Sequence, residues 1–155
     1  DEFVASFLRA LDIGREYGMK VYNGHLLHFT SGIRYFCGAA SGRAALVTHD
    51  GYLTACLEVV DAESPDAEMF LVGSWDSASN RFKVDEAKLD RFRMRHADAL
   101  GGCRTCYARY HCAGGCVVKA VRSGKDLEGR DAAYCSFTRH IVPVLVRRIA
   151  AASGV

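Results

Sequence analysis

No stretch of this 155-residue chain is apolar for anything near the ~20 residues that cross a bilayer, which argues against a membrane-spanning helix. Neither sign of charge dominates: 20 Lys and Arg stand against 18 Asp and Glu, a net of +2. Arg91, Arg93 and Arg95 alternate with Asp90, Asp98 and apolar positions, so there is no basic footprint for nucleic acid. Ser, His and Asp occur without a nucleophile elbow or a spacing that would bring them together, and no hydrolytic site stands out. Internal repeats and low-complexity tracts are missing too. Asp1-Glu2 has the wrong sign for the start of a secretory leader, and no initiator Met precedes it. The expectation is a fragment or excised domain of a cytoplasmic protein.

Cysteine is what the chain has. Its seven cysteines read Cys37-x13-Gly51-x4-Cys56, then Cys103-x2-Cys106-x5-Cys112-x3-Cys116, then a lone Cys135. Seven is odd, so full disulfide pairing leaves a thiol over. It is also one short of the number needed by two four-cysteine metal sites. Without secretory evidence, such a set favours metal ligation in a reducing compartment over a disulfide scaffold. The length suits one domain, and an apolar fraction of 50% allows a modest core.

The expected fold class is α+β: a small domain with a β-hairpin, metal-wrapped loops and flanking helices. Phe3, Val4, Phe7, Leu8 and Leu11 recur at helical spacing, with Gly18 as a stop and Met19–Tyr22 as a short strand. Runs 44–49 and 52–56 flank Asp50-Gly51, the signal for a two-residue type I′ hairpin. A further strand is expected at Met69–Val72, after a solvated loop over Asp61–Asp66. Asp85 should cap a helix running to about Leu100, with Leu89, Phe92 and His96 on one face. Cys103–Cys116 reads as a loop around metal. The stretch from Cys135 to Ala151 reads as a helix bearing Phe137, Ile141, Leu145 and Ile149, with Pro143 removing a backbone bond or kinking it.

Two metal chemistries compete for the cysteines. A structural zinc site wants four ligands, commonly as two Cys-x2-Cys knuckles, and would make the chain a binding module without redox function. The compact x5 and x3 spacings are closer to iron–sulfur practice, where one dense run serves two clusters. By that logic Cys103, Cys106 and Cys112 clasp one cluster, Cys116 turns away to another, and Cys135 returns to complete the first. Gly114-Gly115 allows close approach of backbone N–H groups there.

The whole cysteine pattern, with Gly51 and the Tyr110-His-Cys-Ala-Gly-Gly-Cys116 loop, resembles the SPASM domain. That family is the C-terminal auxiliary-cluster module of radical SAM enzymes that modify peptides and proteins. The match runs from Cys37 to Cys135. The resemblance implies two [4Fe–4S] clusters, cluster I on Cys37, Cys56 and Cys116, and cluster II on Cys103, Cys106, Cys112 and Cys135. Some members add a fourth cysteine to cluster I just after the first. Here that loop reads Gly-Ala-Ala-Ser-Gly-Arg, so the fourth position is open or filled otherwise, with His25, His28, His49 and His111 as candidate substitutes. Tyr107, Tyr110, Tyr134 and Phe137 are expected to shield the clusters from water.

The resemblance further implies that residues 1–30 are the end of a radical SAM partial barrel or a linker helix, and that 31–155 are the cluster domain. No Cys-x3-Cys-x2-Cys triplet occurs, so S-adenosylmethionine would be bound only by the rest of a full-length enzyme. This piece would be non-catalytic. It would serve electron transfer and substrate docking in peptide maturation, with a peptide or protein substrate and the barrel of the same polypeptide as partners.

Overall fold

The computed structural model describes residues 2–21 and 31–154. It is α+β, with helices around a small four-stranded antiparallel sheet. Helix α1 spans Glu2–Glu16 and buries Val4 and Phe7. The chain then folds back, Met19 N–H donating to Gly14 O at 2.7 Å. Met19–Val21 form no strand, and Tyr22 lies outside the described residues. A Cβ on Gly14 would stand 2.5 Å from Val21 Cγ2, so this segment lies against α1 instead of pairing in the sheet.

The hairpin exists, but its turn differs from expectation. Strands β1 (Leu46–Val47) and β2 (Tyr52–Thr54) pair antiparallel, Val47 opposite Leu53. The link is the three residues His49-Asp50-Gly51, closed by Thr48 N–H to Tyr52 O at 2.9 Å. Among them only Gly51 has positive φ (87°), which excludes type I′ and matches a turn ending in a glycine bulge. Asp50 is held by its side chain, which accepts the Thr48 hydroxyl at 2.5 Å and the Ala62 N–H at 2.9 Å.

These bonds hold the Asp50 carboxyl below the ordinary value of 3.8, the Thr48 hydroxyl contributing most. A depressed folded pKa means the stabilisation is full above the unfolded value and is lost as pH falls through the folded one. The Ala62 amide resonance should therefore move below about pH 4, the ordinary carboxyl range. It should stay still over that range in Asp50→Asn. An acid shift that persists in the Asn variant would assign the effect elsewhere.

Strand β3 (Leu71–Asp76) follows a short helix α2 (Ala67–Phe70), so the expected strand at Met69–Val72 starts two residues late. Lys88 Nζ donates to Glu68 O and Leu71 O, fastening that junction to the next helix. Strand β4 (Arg81–Val84), not foreseen from sequence, pairs with β3 and sets Phe82 edge-on to Trp75 at 5.1 Å. Helix α3 (Glu86–Arg93) is capped as expected by Asp85, whose carboxylate accepts the Lys88 N–H at 3.0 Å. It stops at Arg93, not near Leu100, because the next residues turn inward: Ala97 N–H donates to Arg34 O at 2.9 Å and Arg95 is buried.

The main core lies where the sheet, α3 and helix α5 (Val117–Arg122) meet, around Phe70, Val72, Phe92, Val117 and Val118. A second cluster joins α1 to helix α6 (Ala132–Ala152) through Val4, Phe7, Ile141 and Leu145. Asp12 and Arg148 form a two-bonded ion pair across this seam at 2.8 and 3.1 Å.

Helix α6 passes through Pro143 without a break. The missing N–H of Pro143 leaves the carbonyl four residues earlier, Arg139 O, without its helical donor. The Tyr107 hydroxyl, one residue after Cys106, donates to that carbonyl. Tyr107→Phe should thus cost about 1 kcal/mol in chemical denaturation, the usual net worth of one hydrogen bond. No change at all would mean that water caps Arg139 O equally well.

Candidate metal centre

By the charges that act on their thiols, the seven cysteines divide into two neighbourhoods. The first contains Cys37, Cys56 and Cys116. Cys56 follows β2 in a turn made by the buried Thr54, whose hydroxyl donates to Cys56 O at 3.0 Å and accepts the Cys56 N–H at 3.2 Å. Burial raises the Cys56 thiol; the Glu58 N–H donated to it opposes this, and the nearby charges of Cys116 and Cys37 raise it further. Cys116 is the N-cap residue of α5. Cys37 is exposed and is carried into place by Phe36, whose ring meets Tyr134 edge-on at 5.0 Å.

The second neighbourhood contains Cys103, Cys106, Cys112 and Cys135. The expected irregular loop includes one helical turn, α4 (Arg109–Cys112), which ends on Cys112. Cys135 lies in the first turn of α6, its N–H donating to Asp131 O at 2.9 Å. Burial pushes the Cys112 thiol up to about 11; the Gly114 N–H lowers it, and the charges of Cys103, Cys135 and Cys106 add to the rise. Cys103 is also raised by burial, eased by Arg130 and raised again by Cys135 and Cys106. Each neighbourhood thus feels its own members.

The link between them is a left-handed run. Ala113, Gly114 and Gly115 have φ of 43°, 80° and 75°. A Cβ on Gly114 would stand 2.3 Å from Leu100 Cδ1, and one on Gly115 would stand 2.8 Å from Asp131 Cβ. Only glycine satisfies both the conformation and the space. The run turns Cys116 away from Cys112 and aims the carbonyls of Gly114 and Gly115 at Arg95, which donates to them at 3.4 and 3.3 Å.

Arg95 is a residue of the site that the sequence pattern does not single out. It alternates with acidic and apolar positions along the chain, yet it is 2% exposed. The available signal was its spacing, three residues after Phe92 on the face that already carries Leu89. Of the four aromatics expected to shield the site, Tyr134 is buried beside Cys112. Tyr107 and Tyr110 are exposed, Tyr110 bonding to Asp98, and Phe137 packs on Phe3 and Phe7 of α1. Their polar ends and the α1 seam, not the cysteines, set those positions.

Of the candidate histidines among the described residues, neither His49 nor His111 joins the three-cysteine group. His49 occupies the hairpin turn, at the opposite end of β2 from Cys56, and His111 lies in α4 with the four-cysteine group. His25 and His28 lie outside the described residues. In the loop after Cys37, the Ser41 hydroxyl donates to Gly38 O at 2.8 Å.

The donor set fits iron–sulfur ligation. It is all thiol, in groups of four and three, with backbone N–H groups aimed at Cys56 and Cys112 and one buried cation between the groups. Among the described residues no three His, Cys, Asp or Glu side chains already converge tightly enough to hold a metal ion. A cleft of ≈ 1560 Å³ opens between α3 and the start of α6, with Cys135, Tyr107 and Arg95 on its wall. No helix among the described residues is long and apolar enough to cross a membrane. A scan of protein-family models finds no match to this chain, and neither do searches of curated proteins and of solved structures.

Proposed function

We propose that this chain is an auxiliary iron–sulfur module of the SPASM type, working with a radical SAM barrel on peptide or protein substrates. The observation that supports the reading most is the division of the cysteines. The thiols whose charges act on Cys56 are Cys116 and Cys37, whereas Cys135 and Cys106 act on both Cys103 and Cys112. That division is the four-plus-three split that the resemblance implies.

Bound here, [4Fe–4S] clusters would store and pass single electrons. The chain's own part is to release protons and hold thiolates. The raised thiols of Cys56, Cys103 and Cys112 must be deprotonated to ligate, so loading releases protons and is opposed by acid. The Gly114 N–H bond at Cys112 favours the thiolate and, with the burial of Cys103 and Cys112, bears on potential. Exposed Cys37 leaves the three-cysteine side open to a substrate group such as a thiolate.

The test is EPR of the reduced, anaerobic protein with and without a short cysteine-containing peptide. Two signals are expected, one of which changes on adding the peptide. Two signals that both ignore the peptide would remove the docking role. A colourless protein holding one or two zinc ions after anaerobic reconstitution would replace the reading with a structural zinc module.

A further inference from the structure

Arg95 makes no ion pair among the described residues, although its side chain is almost wholly buried. Its guanidinium donates only to main-chain carbonyls: Gly114 and Gly115 between the two cysteine groups, and Gly129 at 3.0 Å. Its Nε has no hydrogen-bond partner. A buried cation satisfied by dipoles alone is costly, and a residue in that state normally answers a negative charge nearby. Burial lowers the Arg95 pKa most; the thiolate forms of Cys37, Cys103 and Cys116, and then Asp131, act against that, and the Asp131 carboxylate is engaged by the Tyr134 N–H at 3.0 Å. Cys37 and Cys116 belong to one cysteine group and Cys103 to the other. One cation thus faces both.

We propose that Arg95 is a shared buried counter-charge for the two cysteine groups, favouring the reduced form of both clusters through one side chain. This rests on the two-cluster reading. A thiolate-ligated cluster gains a negative charge on reduction, so a fixed cation beside it raises its potential. The effect is strong where water is excluded and weak where water screens it. Guanidinium is the right group for the task because it stays protonated and its fork can hold several carbonyls at once. Arg130 provides the internal contrast. It eases the Cys103 thiol as well, but it is exposed and donates to Gly102 O at 3.1 Å.

The experiment is a redox titration followed by EPR on the anaerobically reconstituted full chain, with iron counted first. Arg95→Gln should make reduction of both clusters about tenfold less favourable, a shift of 59 mV for a one-electron couple. Arg130→Gln should change one cluster by less than about threefold, because its charge is screened. Arg95→Lys should keep both potentials at neutral pH. As pH rises and a buried lysine gives up its proton, both should then fall together, while the Arg protein shows no such joint step.

An iron-loaded Gln variant with unmoved potentials, or with only one moved, overturns the shared counter-charge. So does an iron-loaded Lys variant whose potentials match those of Gln and do not change together with pH, since that marks a purely structural role. If the Gln variant fails to load iron, the Lys series decides alone: a joint fall supports the assignment and flat potentials reject it. Unaltered protein that holds no iron overturns the two-cluster reading itself, a result distinct from iron-loaded protein indifferent to Arg95.

Discussion

Cys112→Ala, prepared without oxygen, is expected to hold about four irons per chain where the unaltered protein holds about eight, two [4Fe–4S] clusters' worth. Cys112 sits with Cys103, Cys106 and Cys135, buried at the end of α4. Removing it takes a ligand from that group and none from Cys37, Cys56 and Cys116. Cys56→Ala should also lower iron to about four, with the other EPR signal surviving. Cys116→Ala should be worse than either, since it follows the Ala113–Gly115 run that positions both groups. Complete loss of iron from Cys112→Ala, or no loss, would contradict the division.

The second large effect concerns folding. Removing metal with a chelator should strip amide protection from residues 101–116 and 129–135 first. Between Leu100 and Val117 the only buried apolar side chains are Cys103, Ala108, Cys112 and Ala113. Four small groups bury little area, at about 25 cal/mol per Å², so ligand bonds must supply much of the order there. The sheet and α3 keep Phe70, Val72 and Phe92 without metal, and the far half of α6 keeps its seam with α1. Hydrogen exchange read by mass spectrometry should show protection retained over 67–92 and 141–149 while 101–116 exchanges. Uniform loss, or loss beginning in the sheet, would mean that the cysteines contribute little to the fold.

Several elements were legible because their signals are local. Asp85 announces its helix by capping chemistry, and Gly51 marks a positive-φ turn. The cysteine grouping is what the SPASM resemblance implies; the compact spacing by itself argues only that Cys116 turns away from Cys112. What escaped depends on partners distant in sequence. Arg-Phe-Lys-Val at β4 acquires meaning only against β3, through Trp75 and Phe82. The end of α3 was misjudged because Arg34, far upstream, takes the Ala97 N–H. Arg95 escaped for the same reason: the carbonyls that bury it are Gly114, Gly115 and Gly129. No pattern around Met94 and His96 points to them.

The central claim is that these seven thiols form two cluster sites, one of four cysteines and one of three. Its most direct test is Mössbauer spectroscopy of the unaltered, iron-57-reconstituted protein alongside iron and acid-labile sulfide counts. The account predicts about eight of each per chain, in two cluster populations, one containing a single iron site unlike the rest. One cluster, eight equivalent thiolate-ligated irons, or zinc in place of iron would contradict it.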